Sequence, residues 1–266
     1  LKDKKQIRRR IQMRVMTFNL RRDVPIDFND RWNARRSLIY NVINEYKCDI
    51  IGVQEIKDNM LNDIKENIEV YNIIGAPRGK KVSSERNSLL LSRNYLIEDY
   101  KTFWLSETPD KIGSRVWYSY LPRICTTAIL QMDNGRRVRV CNTHLDNLLP
   151  KARMYGLKKI LEFIEDEKLP VILMGDFNDR PNSKLIKSLK EGKISSKKLL
   201  PVQDINMGLY NESTIGNFKR SGKGLHIDYI FVSEEIDVVN AEIIKYNVNG
   251  KYPSDHYPLM ADIVIN

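Results

Sequence analysis

The stretch Val171-Ile172-Leu173-Met174-Gly175-Asp176-Phe177-Asn178 decides how the rest of the chain is read. Four apolar residues run without a break, then a glycine leads into a carboxylate and, two residues on, a carboxamide. An unbroken run of that length fits a strand covered on both faces. The polar pair falls just past the strand's end, where a stiff backbone can hold side chains accurately.

The same arrangement recurs to either side. Asn19 follows Val15-Met16-Thr17-Phe18, and Gln54 and Glu55 follow Asp49-Ile50-Ile51-Gly52-Val53. Asn142 and His144 follow Val138-Arg139-Val140-Cys141. Asp228 opens the run Asp228-Tyr229-Ile230-Phe231-Val232, and Asp255 and His256 precede Tyr257-Pro258-Leu259-Met260. Between these strand ends lie helical patterns. Leu38, Ile39, Val42, Ile43 and Tyr46 recur at helical spacing, with Asn29 and Asp30 as candidate caps. Met60, Leu61, Ile64 and Ile68 mark a second helix. A third is expected over 151–167, with Ala152, Leu157, Ile160, Leu161 and Ile164 facing inward, and a short fourth over 182–190. Strands are expected at 15–18, 49–53, 71–75, 88–92, 124–132, 137–143, 171–174, 225–233, 238–246 and 259–265. Asp133-Asn134-Gly135 supplies a hairpin turn. Several strands follow one another directly, so this is not a simple alternation of strand and helix.

Composition sets the frame. The chain has 266 residues, 42% apolar and 29% charged, which is ordinary for a globular protein. It carries no repeat and no linker, so residues 14–266 read as a single catalytic domain behind a flexible basic tail at 1–13. The net charge of +10 is concentrated at that end, where Lys2, Lys4, Lys5, Arg8, Arg9, Arg10 and Arg14 face one acid, Asp3. Such a tail suits phosphate backbones or peripheral contact with an anionic membrane. Cys48, Cys125 and Cys141 are too few and too scattered for a disulfide framework or a zinc site, which fits a reducing compartment. No apolar run reaches the roughly 18 residues a bilayer crossing needs, and no secretory signal is visible, so a cytoplasmic monomer is expected.

The residues at the strand ends share one chemistry. They are carboxylates, carboxamides and two of the three histidines. Hard oxygen donors suit Mg²⁺ or Mn²⁺ rather than zinc. A histidine beside a carboxylate suits proton transfer or stabilisation of negative charge. Hydrolysis of a phosphate ester needs both, a cation against its oxygens and an activated water in line.

Taken in order, Asn19, Gln54-Glu55, Asn142-Thr143-His144, Gly175-Asp176-Phe177-Asn178, Ile227-Asp228-Tyr229 and Ser254-Asp255-His256-Tyr257-Pro258 resemble the motifs of the endonuclease/exonuclease/phosphatase superfamily, the DNase I-like group. Phe103-Trp104-Leu105-Ser106-Glu107-Thr108-Pro109 and Pro122-Arg123-Ile124-Cys125-Thr126 resemble a bacterial branch of stand-alone metal-dependent hydrolases. The resemblance implies an α+β fold, a four-layer αββα sandwich with the site at one edge of the paired sheets. It implies Glu55 as the main Mg²⁺ (or Mn²⁺) ligand, completed by Asn19 and Asp255. His256 is then base or phosphate-stabilising imidazolium, oriented by Asp228. Asp176 helps to activate water, Asn178 positions the phosphate or the nucleophile, and His144 hydrogen-bonds the phosphate or protonates the leaving oxygen. Arg123 and Arg153 are candidates to hold a phosphate oxygen, with an ion pair at the surface as the competing reading. His226 and Asp146 are left without a role.

Three substrate readings follow. A phosphodiesterase or nuclease comes first, supported by the complete motif set, the basic tail and lysines 184, 187, 190, 193, 197 and 198. The resemblance also departs from exonuclease III-type relatives, which carry Asn-x-Asn-Gly where this chain has Asn19-Leu20-Arg21-Arg22. That speaks against repair of abasic sites. A phosphatase or phospholipase C-type enzyme acting on inositol-phosphate or lipid head groups is the alternative. Its motivation is Phe103, Trp104, Trp117, Tyr118 and Tyr120, a concentration of aromatics that could stack bases or enter a membrane interface if exposed. The plainer expectation is that both tryptophans are core. An inactive scaffold of the same fold is the remote third.

Overall fold

The structure, a computed structural model, describes residues 13–81, 84–218 and 224–266. Two six-stranded sheets dominate it. The first runs in the order β11-β12-β1-β2-β4-β3 and the second β5-β6-β7-β8-β10-β9. The first is built from β1 (Met13–Asn19), β2 (Ile50–Ile56), β3 (Tyr71–Ile74), β4 (Arg86–Ser92), β11 (Ile236–Ile243) and β12 (Leu259–Ile265). The second holds β5 (Leu96–Trp104), β6 (Ile124–Gln131), β7 (Arg137–His144), β8 (Val171–Asp176), β9 (Leu199–Pro201) and β10 (Asp228–Ser233). Each sheet has one parallel pair at its centre, β1 with β2 and β7 with β8. Each parallel pair is joined by a helix crossing the outer face, as parallel neighbours require. Those helices are α1 (Trp32–Tyr46) and α3 (Pro150–Ile164). The helices α2 (Asp58–Asn67) and α4 (Lys184–Lys190) complete the set.

Three separate apolar clusters show why the layers stack as α, β, β, α. Alternation along a strand sends successive side chains to opposite faces. On β1, Val15 packs between the sheets with Ile50, Leu89, Val140, Ile172 and Ile230, while Met16 and Phe18 face outward onto Ile39, Val42, Met60 and Ile64 of the helices. On the other side Leu173, Tyr229 and Phe231 meet Leu157, Ile160, Leu161 and Ile186. The sandwich implied by the motif resemblance is therefore present. The three cysteines are buried and free. No helix among the described residues is long and apolar enough to cross a membrane.

Two local features differ from expectation. Neither Asn29 nor Asp30 caps α1; its N-cap is Arg31, without a side-chain hydrogen bond. Residues 25–30 instead form a short 3₁₀ turn, Pro25–Asp30. The strand β5 was not anticipated. It is an edge strand whose residues Glu98, Asp99, Tyr100 and Lys101 are exposed, so its apolar alternation is weak. The basic tail falls outside the described residues except for Met13, which is buried as the first residue of β1.

Candidate active site

Strand register brings the distant motifs into two facing rows. In the second sheet His144 pairs with Asp176, and Asp176 pairs with Asp228, so three functional side chains stand side by side on adjacent strands. In the first sheet Asn19 pairs with Gln54, beside Glu55. Asp255 and His256 arrive from the segment just before β12. Cross-sheet bonds close the two rows on each other. Asn19 Nδ2 donates to Asp176 Oδ2 at 3.1 Å, and His256 Nδ1 bonds Asp228 Oδ2 at 2.9 Å.

The backbone leaves ordinary strand geometry to achieve this. Glu55 has a φ of 64° next to an irregularity in the pairing of β2 with β4, and Asn178 has a φ of 52°. Left-handed conformations of non-glycine residues are costly and concentrate at functional sites. Alternation alone would place Gln54 and Glu55 on opposite faces. Gln54 does point between the sheets, but Glu55 bends to accept from the Arg22 amide at 3.0 Å and to lie 3.4 Å from Asn19 Nδ2. At the end of β8 the Asn178 amide donates to Asp176 Oδ1 at 2.9 Å, while the Asn178 side chain donates to the Leu145 carbonyl at 3.1 Å.

Both histidines address one oxygen. His144 Nε2 lies 3.5 Å and His256 Nε2 3.8 Å from Asp176 Oδ2. Their surroundings differ. Burial holds the His144 imidazole well below its ordinary value, reinforced by the charges of Arg123, Arg78, His256 and Arg22, so it is neutral at physiological pH. Burial also works against charge on His256, but Asp228, its hydrogen bond, Asp255 and Asp176 outweigh it and raise the group to about 10. His256 is therefore an imidazolium. Asp176 is pushed up to about 7, by burial first and then by the neighbouring charge of Asp228.

A divalent cation fits the donor chemistry here. Asn19, Glu55, Asp176, Asp228 and Asp255 offer oxygen alone, and Asp228 Oδ1 is buried without a hydrogen-bond partner. Among the described residues Asp176, Asp228 and His256 bring ligand-type atoms within 4.8 Å of one another. The hydrogen bond between Asp228 and His256 already occupies one atom of each, so this trio is not an open cage. Glu55 and Asp255 stand outside it. Asp255 Oδ2 is 3.6 Å from Arg21, and Asn19 turns its Nδ2, not its oxygen, toward Glu55 and Asp176. Asn19 Oδ1 accepts from the Arg21 amide at 3.0 Å, which leaves its second lone pair for a cation.

Of the two candidate arginines, Arg123 is buried and donates to Asn147 Oδ1 at 2.8 Å, with its Nε 4.0 Å from Asp146, and its charge helps to hold His144 neutral. Arg153 is held by Asp179 at 3.2 Å and by the Asp146 carbonyl at 3.1 Å, in a partly buried ion pair. Asp146, without a role in the sequence, anchors the approach to α3. It accepts from the Leu148 and Leu149 amides and from Ser119 Oγ at 2.8–2.9 Å. His226 is structural, with Nδ1 on the Glu212 carbonyl and Nε2 against the Gln203 amide. Sequence reasoning missed Arg22 and Arg78, which share Glu85 and add positive charge around His144. They lie in loops with no apolar periodicity to mark them. The expectation for the tryptophans was half right. Trp104 is buried, whereas Trp117 is 86% exposed and Tyr120 78%.

Comparison with known proteins gives the same outline. The sequence profile described as the Endonuclease/Exonuclease/phosphatase family matches residues 16–256. A solved endonuclease/exonuclease/phosphatase from Bacteroides vulgatus is 27% identical, with a TM-score of 0.87 over 96% of this chain and 99% of its own. The mannosyl-6-phosphatase of Bacteroides thetaiotaomicron is 28% identical, with a TM-score of 0.83 over 96% and 100%. A probable CCR4-Not complex 3′-5′-exoribonuclease subunit Ccr4 of Encephalitozoon cuniculi is 26% identical over 84% of this chain, which spans about half (54%) of that protein.

Proposed function

The chain belongs to the endonuclease/exonuclease/phosphatase family, hydrolases of phosphate esters, and from that premise we propose that it is a divalent-metal-dependent phosphodiesterase of the nuclease type. The observation that carries the hydrolytic reading is the convergence of His144 Nε2 and His256 Nε2 on a single Asp176 oxygen, with Asp228 behind His256. Glu55, with Asn19 and Asp255, would hold a Mg²⁺ or Mn²⁺ ion, which would supply Lewis-acid polarisation of the phosphate oxygens. The remaining work falls to side chains of the protein. Asp176 takes a proton from water as the water oxygen bonds to phosphorus. The bond from phosphorus to the leaving oxygen breaks, and that oxygen takes a proton from solvent. The His256 imidazolium, held by Asp228, stabilises the added negative charge. His144, neutral, donates a hydrogen bond to a phosphate oxygen, and Arg123 and Arg78 supply positive charge behind it. Asn178 fixes Asp176 through its backbone amide.

The diester preference is supported by the similarity to the exoribonuclease subunit. A second reading, a phosphomonoesterase, is supported by the similarity to the mannosyl-6-phosphatase along the whole chain. Cleavage of end-labelled single-stranded DNA and RNA, beside phosphate release from sugar phosphates, separates them. Both are run in Mg²⁺ and in Mn²⁺ with His256→Ala protein as the control. Shortened oligonucleotides, absent in the control, support the diesterase. Phosphate release alone transfers the assignment to the monoesterase.

A further inference from the structure

The charge beside His144 does not end at the catalytic row. Arg22 donates its amide to Glu55 at 3.0 Å and its guanidinium to Glu85 at 2.8 Å, and Glu85 also accepts from Arg78 at 2.9 Å. Arg78 and Glu85 line an open cavity of about 760 Å³ between residues 78–81 and 84–85 on one side and the 108–122 segment on the other. Lys80, Lys81, Lys111 and Arg115 line it too. Its one carboxylate, Glu85, is thus already paired. Lys80, Lys81 and Lys111 form no ion pair among the described residues. Like charges gathered without a counter-charge repel one another, and an anion in their midst relieves that repulsion.

Hydrogen bonds tie both sides of the cavity to the fold. The Arg78 carbonyl accepts from Trp104 Nε1 at 2.7 Å, which ties this loop to the buried end of β5. Across the cavity Ser106 Oγ and Ser114 Oγ lie 2.7 Å apart, and Ser114 Oγ donates to the Thr108 carbonyl at 2.8 Å. Trp117, between the lining residues Arg115 and Leu121 in the chain, stands in solvent, with the Tyr118 ring perpendicular to it and centroids 5.2 Å apart.

We infer that this cavity is a second anion subsite, which holds a further phosphoryl group of a substrate whose scissile phosphate lies at His144. The inference rests on the hydrolase reading above and narrows its substrate to one that carries more than one phosphate. The source of the second group is either the next phosphodiester of a nucleotide chain or a second phosphomonoester on a small molecule. The exposed indole of Trp117 separates the two, because a base can stack on it and a lone phosphate cannot.

The test uses the full chain in metal-free buffer, with inorganic tripolyphosphate and orthophosphate as calorimetric probes. Lys80→Ala/Lys81→Ala/Lys111→Ala protein is compared with wild type and with a remote-charge control, Lys65→Ala/Lys158→Ala/Lys251→Ala. Tripolyphosphate is expected to bind the first variant about tenfold more weakly than wild type, roughly what two or three lost phosphate contacts cost. Orthophosphate affinity and the remote-charge control should stay at the wild-type level. An equal loss in both variants reveals bulk charge only and overturns the subsite, as does no loss in either. Trp117→Ala then sorts the source. Weaker binding of a short single-stranded oligonucleotide with tripolyphosphate unchanged assigns a nucleotide chain; no effect on either assigns a small bisphosphate. If wild-type protein hydrolyses no phosphate ester yet keeps the tripolyphosphate preference, the hydrolase reading fails while the subsite stands.

Discussion

Asp228 Oδ2 accepts the Nδ1–H of His256, and that bond sets the tautomer and charge of the ring that faces Asp176. Asp228→Asn keeps the shape and removes the charge. It should lower kcat about a thousandfold, as loss of one member of a concerted unit does, with the circular dichroism spectrum unchanged. A kcat within twofold of wild type would reduce the pair to a structural contact. Asp146 makes a different kind of contribution. Burial raises its carboxyl, but the Leu149 amide, Ser119, the Leu148 amide and Arg123 outweigh that and leave it below the ordinary carboxylate value. A group depressed in the folded state stabilises the fold above its unfolded value and loses that contribution as pH falls through its folded value. Asp146→Asn should therefore cost about 2 kcal/mol near neutrality, the worth of hydrogen bonds to a buried charge. Urea titrations should show the gap from wild type closing in strong acid. A gap that is constant with pH would mean that the charge contributes nothing.

At the scale of elements, β8 is the strand whose exit most constrains the site. Gly175 has a φ of 145°, and a Cβ there would lie 1.9 Å from the Thr143 carbonyl oxygen on β7. Gly175→Ala must force β7 and β8 apart where His144 and Asp176 pair. It is expected to destabilise the protein by about 3 kcal/mol or more, the range of a steric clash at a special φ, and to reduce activity even in protein that remains folded. Thermal unfolding with single-turnover rates checks both; wild-type behaviour in each would show that the neighbouring strand yields freely. This strand also shows what was legible beforehand. Its apolar run and abrupt polar end are local signals, and so are those of β1, β2, β7 and β10, which is why His144, Asp176, Asn178 and Asp228 could be named from the chain alone. β5 escaped because exposed charges interrupt it, and β9 because it has only three residues. Arg22 and Arg78 escaped because their importance comes from a shared partner, Glu85, far from Arg22 in the chain. That Arg153 pairs with Asp179 depends on where α3 packs, which spacing does not encode.

The molecule as a whole divides its chemistry between two sheets, so activity depends on how those sheets are aligned. Asn19 and Glu55 belong to the first, with Asp255 and His256 at the entry to β12, and His144, Asp176 and Asp228 belong to the second. The apolar layer between them is non-directional and would tolerate a small slide. Hydrogen bonds do not. Asn142, on β7, accepts from Gln54 Nε2 at 2.7 Å and donates to the carbonyls of Val53 and Ser88 at 3.0 and 2.8 Å, all three on the first sheet. The sheets also meet closely here, since a Cβ on Gly52 would lie 2.6 Å from Met174 Sδ and 2.9 Å from Asn142 Oδ1. Asn142→Ala removes the pin without touching any group assigned to the phosphate. Leaving buried polar partners unmatched should cost about 2–3 kcal/mol. A displacement on the order of 1 Å between the halves should lower kcat about a hundredfold, because reacting groups tolerate little misplacement. Affinity of the second sheet's residues for orthophosphate should change far less, since His144 and Arg123 move together. Kinetics, denaturation and phosphate titration on the same preparation resolve the three effects. Loss of stability with kcat intact would show that apolar packing alone aligns the sheets, whereas loss of kcat with phosphate binding retained would place Asn142 as the residue that brings the two halves of the site into register.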